Sequence, residues 1–235
     1  MVIDFHSHIL PGIDDGSSSL EESIALLEEE YRQGIHTVVA TPHFYARYDD
    51  PEQFLKKRAR SEAALRQALK ARPYLPELVM GAEVYFFSGM SDSEVLSQLT
   101  IGKKRCILIE MPQSPWTEAM YGELERIYTR RNLIPIVAHM DRYIRPLATH
   151  GIPERLAQLP VMVQANADFF LNPSTRRMAV KLLQEDKIQL LGSDCHNLEH
   201  RPPRLDEAIR RIQKKCGDSA LHRIRSYQDT LLEGL

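Results

Sequence analysis

Seven short apolar runs, each followed by a longer polar or amphipathic stretch, constrain this chain more than any other feature. They fall at residues 2–5, 37–40, 78–82, 106–109, 134–138, 161–165 and 188–191. They are rich in Ile, Val and Leu and nearly continuous in apolarity, the pattern of parallel strands covered on both faces. The segments between them carry helix punctuation. Ser19 with Glu22 three residues on makes a capping box, and Leu20, Ile24, Leu27 and Tyr31 then form one apolar stripe that Gly34 ends. Asp50 and Pro51 open the next helix as N-cap and first helical residue. Further helices are predicted over 118–131, 174–184, 205–216 and 220–232. The expected fold class is α/β. Seven βα units predict a distorted (β/α)7 TIM-like barrel, with an open doubly wound sheet as the alternative.

A chain of 235 residues fits one such barrel undivided, and no Gly/Ser linker or shift in composition breaks it. One domain over residues 1–235 is the expectation. Hydrophobic residues at 43% and charged residues at 26% exclude disorder. The longest apolar stretches, such as 133–138 and 84–87, fall far short of the ~20 residues that span a bilayer. The N-terminus has neither a basic lead-in nor an apolar signal core, so a soluble, cytoplasmic protein without membrane insertion is expected. A net charge of −2 gives no bulk attraction for nucleic acid or membrane. The basic clusters Lys56-Lys57-Arg58 and Lys214-Lys215 read as solvated helix faces. Three widely spaced cysteines, Cys106, Cys195 and Cys216, fit a reducing compartment better than a disulfide framework.

The chemistry lies where the runs end. The first leads into His6-Ser7-His8, the second into Thr41-Pro42-His43, the third into Glu83, the fourth into Glu110, the fifth into His139 and the last into Asp194-Cys195-His196. In a parallel barrel all strand C-termini open on one face, where such side chains would converge. Side chains alternate along an extended chain, so His6 and His8 point the same way, as do Asp194 and His196. A lone His-x-His pair is weak evidence, and a single Glu closing a strand more often caps a helix. Five histidines and three carboxylates at corresponding positions are another matter, and they exceed what one ion can use. Imidazole and carboxylate without thiolate suit Mn, Fe or Zn, so a cluster of two or three metals is predicted. His36, His150, His200 and His222 lie elsewhere and read as structural.

Arg142 follows His139 by three residues and Arg201 follows His196 by five. A guanidinium grips phosphate bidentately, so arginines beside a metal cluster predict a phosphate ester substrate. Within Gly12–Gly16, Asp14 and Asp15 are either an acid near the cleft or turn residues. Cys195 and Arg201 also satisfy the Cys-x5-Arg spacing of cysteine-dependent phosphatases. Those loops need glycines to cradle phosphate, and here the interior holds none and Pro202-Pro203 follow.

These motifs together resemble the polymerase and histidinol phosphatase (PHP) superfamily. Within it they resemble the manganese-dependent tyrosine phosphatases of capsule and exopolysaccharide operons, the CpsB/CapC family. The resemblance is carried by the stretch from Ile3 to Gly16 (IDFHSHILPGIDDG), Thr41-Pro42-His43, Gly81-Ala82-Glu83, Leu108-Ile109-Glu110, Ala138-His139 with Arg142-Tyr143, and Ser193 to Asn197. Met140-Asp141 stand where that family usually has Pro-Glu, and Cys195 where it usually has Ala. The resemblance implies a distorted PHP-type barrel holding three metals, usually assigned as Mn²⁺, where the donor set alone allows two or three ions of Mn, Fe or Zn. The ligands would be His6, His8, His43, Glu83, Glu110, His139, Asp194 and His196. Arg142 and Arg201 would clamp phosphate, and Asp14 would be a candidate acid. The implied reaction is hydrolysis of phosphotyrosine on a protein partner, a bacterial tyrosine autokinase regulating capsule or exopolysaccharide synthesis. A water shared by two metals, its pKa lowered from about 15.7 toward 7, would be the nucleophile. The alternatives are a histidinol-phosphate or other small phosphoester phosphatase of the same superfamily, and a non-enzymatic metal-binding regulator of a tyrosine kinase.

Overall fold

The computed structural model describes residues 2–102, 106–144 and 151–232; His150 lies outside the described residues. The chain alternates strand and helix as its sequence predicts. The strands are β1 (Asp4–Ser7), β2 (Thr37–Ala40), β3 (His43–Phe44), β4 (Glu77–Met80), β5 (Glu83–Tyr85), β6 (Cys106–Glu110), β7 (Ile134–Val137), β8 (Met162–Asn166) and β9 (Leu190–Gly192). The helices are α1 (Leu20–Arg32), α2 (Pro51–Leu69), α3 (Glu118–Arg131), the short α4 (Asp141–Ile144), α5 (Ile152–Leu156) and α6 (Ala167–Leu171), then α7 (Arg176–Gln184), α8 (Leu205–Cys216) and α9 (Asp218–Leu232). Two 3₁₀ turns, Met90–Asp92 and Glu94–Gln98, replace a crossover helix between β5 and β6.

Every named strand pair is parallel. One set runs β1-β2-β4 and the other β3-β5-β6-β7-β8-β9, giving a curled parallel sheet. Thr41-Pro42 separates β2 from β3 and Gly81-Ala82 separates β4 from β5, so the ladder is cut after two of the predicted strands and a short strand that was not predicted follows each cut. Pro42 has no N–H to give to the ladder, but its carbonyl still accepts from Glu83 N at 3.0 Å. Each cut delivers a ligand candidate, His43 or Glu83, onto the separate short strand beyond it.

Alternation along the strands divides the core. Phe5, Val39, Val79, Leu108, Ile136 and Leu190 pack together on one face of the sheet, with Ile101 and with Leu231 and Leu232 from the end of α9. Val38, Ile107, Ile109, Val137 and Leu191 belong to the other cluster, against Leu26, Leu27, Leu65, Leu124, Ile127, Leu182 and Ile212 of the helices. Each such side chain, once buried, contributes roughly 1.5–3 kcal/mol. The helix signals work as local chemistry. Ser19 Oγ accepts from Glu22 N at 3.2 Å, and Asp50 Oδ1 from Gln53 N at 2.9 Å. Glu22 reaches one residue further than a capping box requires, taking Ser18 N and Ser18 Oγ at 2.8 and 2.7 Å. Gly34 (φ +80°) ends α1. Tyr31, expected on the buried stripe, is 38% exposed instead, stacked edge-on with His36 and Tyr74.

Candidate metal centre

The strand ends bring the predicted residues together. Buried His6 and His8 face one another, Nε2 to Nε2, at 3.1 Å. Glu83 Oε2 lies 3.1 Å from His6 Nε2, 3.2 Å from His8 Nε2 and 3.0 Å from His43 Nδ1. Its other oxygen meets His139 Nε2 at 2.7 Å. Asp194 Oδ1 stands 3.5 Å from the Nε2 of both His6 and His8. Glu110 Oε1 is 3.7 Å from His139 Nε2, and His196 lies beside Asp194. All eight predicted side chains therefore share one cluster, with Glu83 at its middle.

Some of these contacts are hydrogen bonds, as between His139 Nε2 and Glu83 Oε1, but three of the atoms are left without one. His43 Nδ1, Glu83 Oε2 and His196 Nε2 are buried and have no hydrogen-bond partner. Ligands about 2.0–2.2 Å from an ion sit roughly 3–3.5 Å apart, the spacing found here. Within this cluster three sets of donor atoms fall within 4.8 Å of one another: His6, His8 and Asp194; His43, Glu83 and Glu110; and His8, Asp15, His43 and His196. The donors are imidazole and carboxylate, so the residues fit two or more divalent ions of the Mn, Fe or Zn type.

Without ions the side chains of the cluster balance one another's charge. Burial disfavours the charged form of Glu83 and Asp194, but the histidines around them, His6 foremost, win and hold both well below the ordinary carboxylate range. Burial would neutralise His6 and His8, yet Glu83 and Asp194 raise both, with Asp14 acting on His8 as well. Burial and the neighbouring His8 push His196 down to about 4, leaving it neutral and able to ligate. Burial and nearby Glu83 push Glu110 upward. His139 and Asp194 adopt left-handed backbone, φ +32° and +54°, at a cost of about 1–3 kcal/mol each. Bonds from His139 N to Gln164 Oε1 (2.7 Å) and from Asp194 N to His6 O (2.8 Å) hold them there.

Both arginines reach the cluster. Arg142 sends one nitrogen to Asp194 Oδ2 at 2.6 Å and the other to Glu110 Oε1 at 3.3 Å, and Arg201 meets the same Asp194 oxygen at 2.7 Å. Asp14 accepts from His8 Nδ1 at 2.8 Å and from the backbone N–H groups of His43 and Gly16, both at 3.0 Å. Despite burial, those donors, His8 foremost, hold its carboxyl down to about 2. Its neighbour Asp15, 67% exposed, reaches 3.5 Å from His43 Nε2 and 3.4 Å from His196 Nε2. Cys195 is fully buried beside Asp4 and Glu30, and burial drives its thiol well above the usual range, which removes it as a nucleophile.

The whole chain carries a family's pattern as well. The model of the family described as "Capsular polysaccharide synthesis, CpsB/CapC" matches residues 2–231. This chain belongs to the CpsB/CapC family. The "Tyrosine-protein phosphatase CpsB" of Streptococcus agalactiae is 31% identical over 230 residues, covering 92% of this chain and 91% of that protein. The protein of the same name from Streptococcus pneumoniae is 30% identical over the same shares. "Tyrosine-protein phosphatase YwqE" of Bacillus subtilis is 26% identical, covering 98% and 91%. The crystal structures of YwqE from Bacillus subtilis and CpsB from Streptococcus pneumoniae, described as unique metal-dependent tyrosine phosphatases, provide a fold match. Its TM-score is 0.87 at 22% identity, over 98% of this chain and 94% of the matched one.

Family membership sets the predicted ligands in context, and the structure adds partners that motif spacing did not supply. Gln164 Oε1 takes His139 N and lies 3.2 Å from His6 Nδ1, while Asn166 donates to Asp194 Oδ2 at 2.9 Å. Both stand on β8, the strand to which no ligand had been assigned. Gln164-x-Asn166 repeats the spacing of His6-x-His8 and was the available signal. Tyr143, fully buried, sets its hydroxyl 3.2 Å from His139 Nδ1.

Proposed function

We propose that this chain is a metal-dependent protein phosphatase that hydrolyses phosphotyrosine, and that its substrate is a bacterial tyrosine autokinase of capsule or exopolysaccharide synthesis. One observation carries the reading: the guanidinium groups of Arg142 and Arg201 converge on a single Asp194 oxygen at the rim of the imidazole and carboxylate cluster. Two fixed cations beside a multi-ion donor set suit the three oxygens of a phosphoryl group. The relatives named tyrosine-protein phosphatases support the aromatic ester.

We assign His6, His8, His43, Glu83, Glu110, His139, Asp194 and His196 as ligands for two or three Mn²⁺ ions, with Fe or Zn as alternatives, and add Asp15. Bound divalent ions would polarise the phosphoryl group and bring the pKa of a water from 15.7 to about 7. Arg142 and Arg201 hold the phosphoryl oxygens and balance the charge that spreads over them. Asp14 accepts a hydrogen bond from His8 Nδ1, which turns Nε2 toward the cluster, and so acts as a positioning group. The leaving phenolate, with a pKa near 10, departs with little protonation.

We read the curled sheet as a distorted (β/α)7 barrel of the PHP type, one domain over residues 1–235. The parallel bridge between Ser7 and Cys195, with His8 N on Cys195 O at 2.9 Å, supports closure of the first strand on the last. We place the reaction in the cytoplasm. No helix among the described residues is long and apolar enough to cross a membrane, and three free cysteines suit a reducing compartment.

The test is turnover of p-nitrophenyl phosphate and a phosphotyrosine peptide after EDTA and again after Mn²⁺ readdition, with metal content by mass spectrometry. Activity lost and restored, with two or three ions per chain, is expected. Undiminished turnover by metal-free protein would overturn the reading, and so would metal-loaded protein inactive on both substrates.

A further inference from the structure

A phosphoryl group held by the cluster leaves its ester's organic part at the mouth of the site, against whatever side chains rim it. On the His43–Glu110 side that rim is aromatic. Tyr45 follows β3 by one residue, and its ring centroid lies 5.2 Å from the His43 ring. Tyr85 ends β5, in register with Glu110, and its ring lies 5.7 Å from that of Tyr45, tilted by 39°. Both rings are half-buried, so each keeps part of its surface open. The backbone beneath is fixed: Asp49 Oδ2 takes Tyr45 N at 2.6 Å, and Glu110 O takes Phe86 N at 2.8 Å. Nothing in the proposed chemistry uses either tyrosine.

We propose that Tyr45 and Tyr85 form the platform on which the substrate's phenyl ring rests, and that this pair makes the site select aryl over alkyl phosphate esters. The inference rests on the phosphatase reading and deepens it. Offset or edge-on contact between rings 4.5–7 Å apart is favourable beyond the area it buries, and an aliphatic phosphoester offers nothing equivalent. The two tyrosines already sit at such a separation from one another. A third ring entering against them would gain contact with a surface that folding has paired in advance, so little side-chain ordering is left to binding.

Two non-hydrolysable ligands separate ring from phosphate. Phenylphosphonate and methylphosphonate present the same anionic head, one with a ring and one without. Calorimetric titration of the Mn²⁺-reconstituted full chain is expected to give tighter binding of phenylphosphonate. Tyr45→Leu and Tyr85→Leu should each weaken phenylphosphonate about five- to tenfold and leave methylphosphonate within about twofold. Tyr45→Phe and Tyr85→Phe, which keep the rings, should retain the wild-type preference. Methylphosphonate reports the phosphate site in the same sample, so the ratio of the two dissociation constants registers the ring alone. The proposal is overturned if wild type shows no preference for the phenyl ligand, or if the leucine variants lose both ligands equally or neither. Either result can stand while p-nitrophenyl phosphate is still hydrolysed, so the failure of the platform and of the phosphatase reading are distinguishable.

Discussion

Replacing Gln164 by leucine probes the cluster at a residue that would never touch the substrate. Its carbonyl oxygen takes the backbone N–H of His139 at 2.7 Å and faces His6 Nδ1 at 3.2 Å, and its amide nitrogen donates to Asn166 Oδ1 at 3.0 Å. Leucine is close in volume and offers no acceptor. The His139 N–H, buried and held in left-handed backbone, would then have no partner, a cost of about 1–3 kcal/mol. The His6 ring would also lose the group that orients it. Gly192 packs so closely here that a Cβ on it would lie 2.5 Å from His6 Cβ and 2.8 Å from Gln164 Nε2, so compensating movement has little room. Loss of such a support costs metal affinity about 10–100-fold. Gln164→Leu should therefore lower the unfolding midpoint and weaken Mn²⁺ by that factor in a chelator competition, with turnover recovering as Mn²⁺ is raised. Gln164→Glu, which keeps an accepting oxygen, should retain more affinity. Wild-type Mn²⁺ affinity in the leucine variant would refute the claim that Gln164 positions His6 and His139.

Arg142→Lys keeps the charge but cannot span Asp194 and Glu110, so kcat/KM on a phosphotyrosine peptide should fall about 10²-fold or more with metal content unchanged; unaltered turnover would remove the clamp. Gly16→Ala would set a Cβ 2.2 Å from His8 O, and the resulting displacement of about 1 Å at His8 should cost roughly 10²-fold in turnover, with an intact fold by circular dichroism; a fully active variant contradicts this. Burial and the adjacent Asp4 carboxylate hold Glu30 well above its ordinary 4.5. An acid whose folded pKa is raised stabilises fully below its unfolded pKa and loses that contribution as pH rises through the folded one, by up to about 1.4 kcal/mol per pH unit. Glu30→Gln should flatten the fall in urea midpoint above pH 4.5, and an unchanged slope would show that Glu30 is ionised in the fold. Cys195→Ser should retain turnover, because the buried thiol takes no part in the chemistry; an inactive, metal-loaded variant would revive the cysteine mechanism.

What the sequence showed and what it hid follow from the range of each interaction. Ser19, Asp50 and Gly34 act on neighbours a few residues away, so the starts of α1 and α2 and the end of α1 were legible, and α3 and α8 fall on the predicted bounds. The strand-end ligands were legible because parallel strands expose their C-terminal ends together, and that rule needs no coordinates. β3 and β5 escaped because two or three residues are too few to display a period, and no local signal marks where Pro42 and Gly81 shift a strand to a new partner. Tyr31 sat at the right helical spacing and still faces outward, since periodicity gives a stripe's position but not where the facing helix stops covering it.

The split between Asp14 and Asp15 is the sharper case. The two are adjacent in a turn, chemically identical, and were indistinguishable as sequence. In the fold, Asp14 turns inward to His8 Nδ1 and two backbone amides, while Asp15 stays largely exposed and leans over His43 and His196. Gly16 decides this. Its amide caps Asp14 Oδ1, and its missing side chain lets the turn lie against His8 O, where a Cβ would be 2.2 Å away. With the backbone that close to His8, Asp14 is the carboxylate that meets the ring. The glycine therefore does more than permit a turn: it assigns different work to two like residues, one orienting a ligand and the other free to become one.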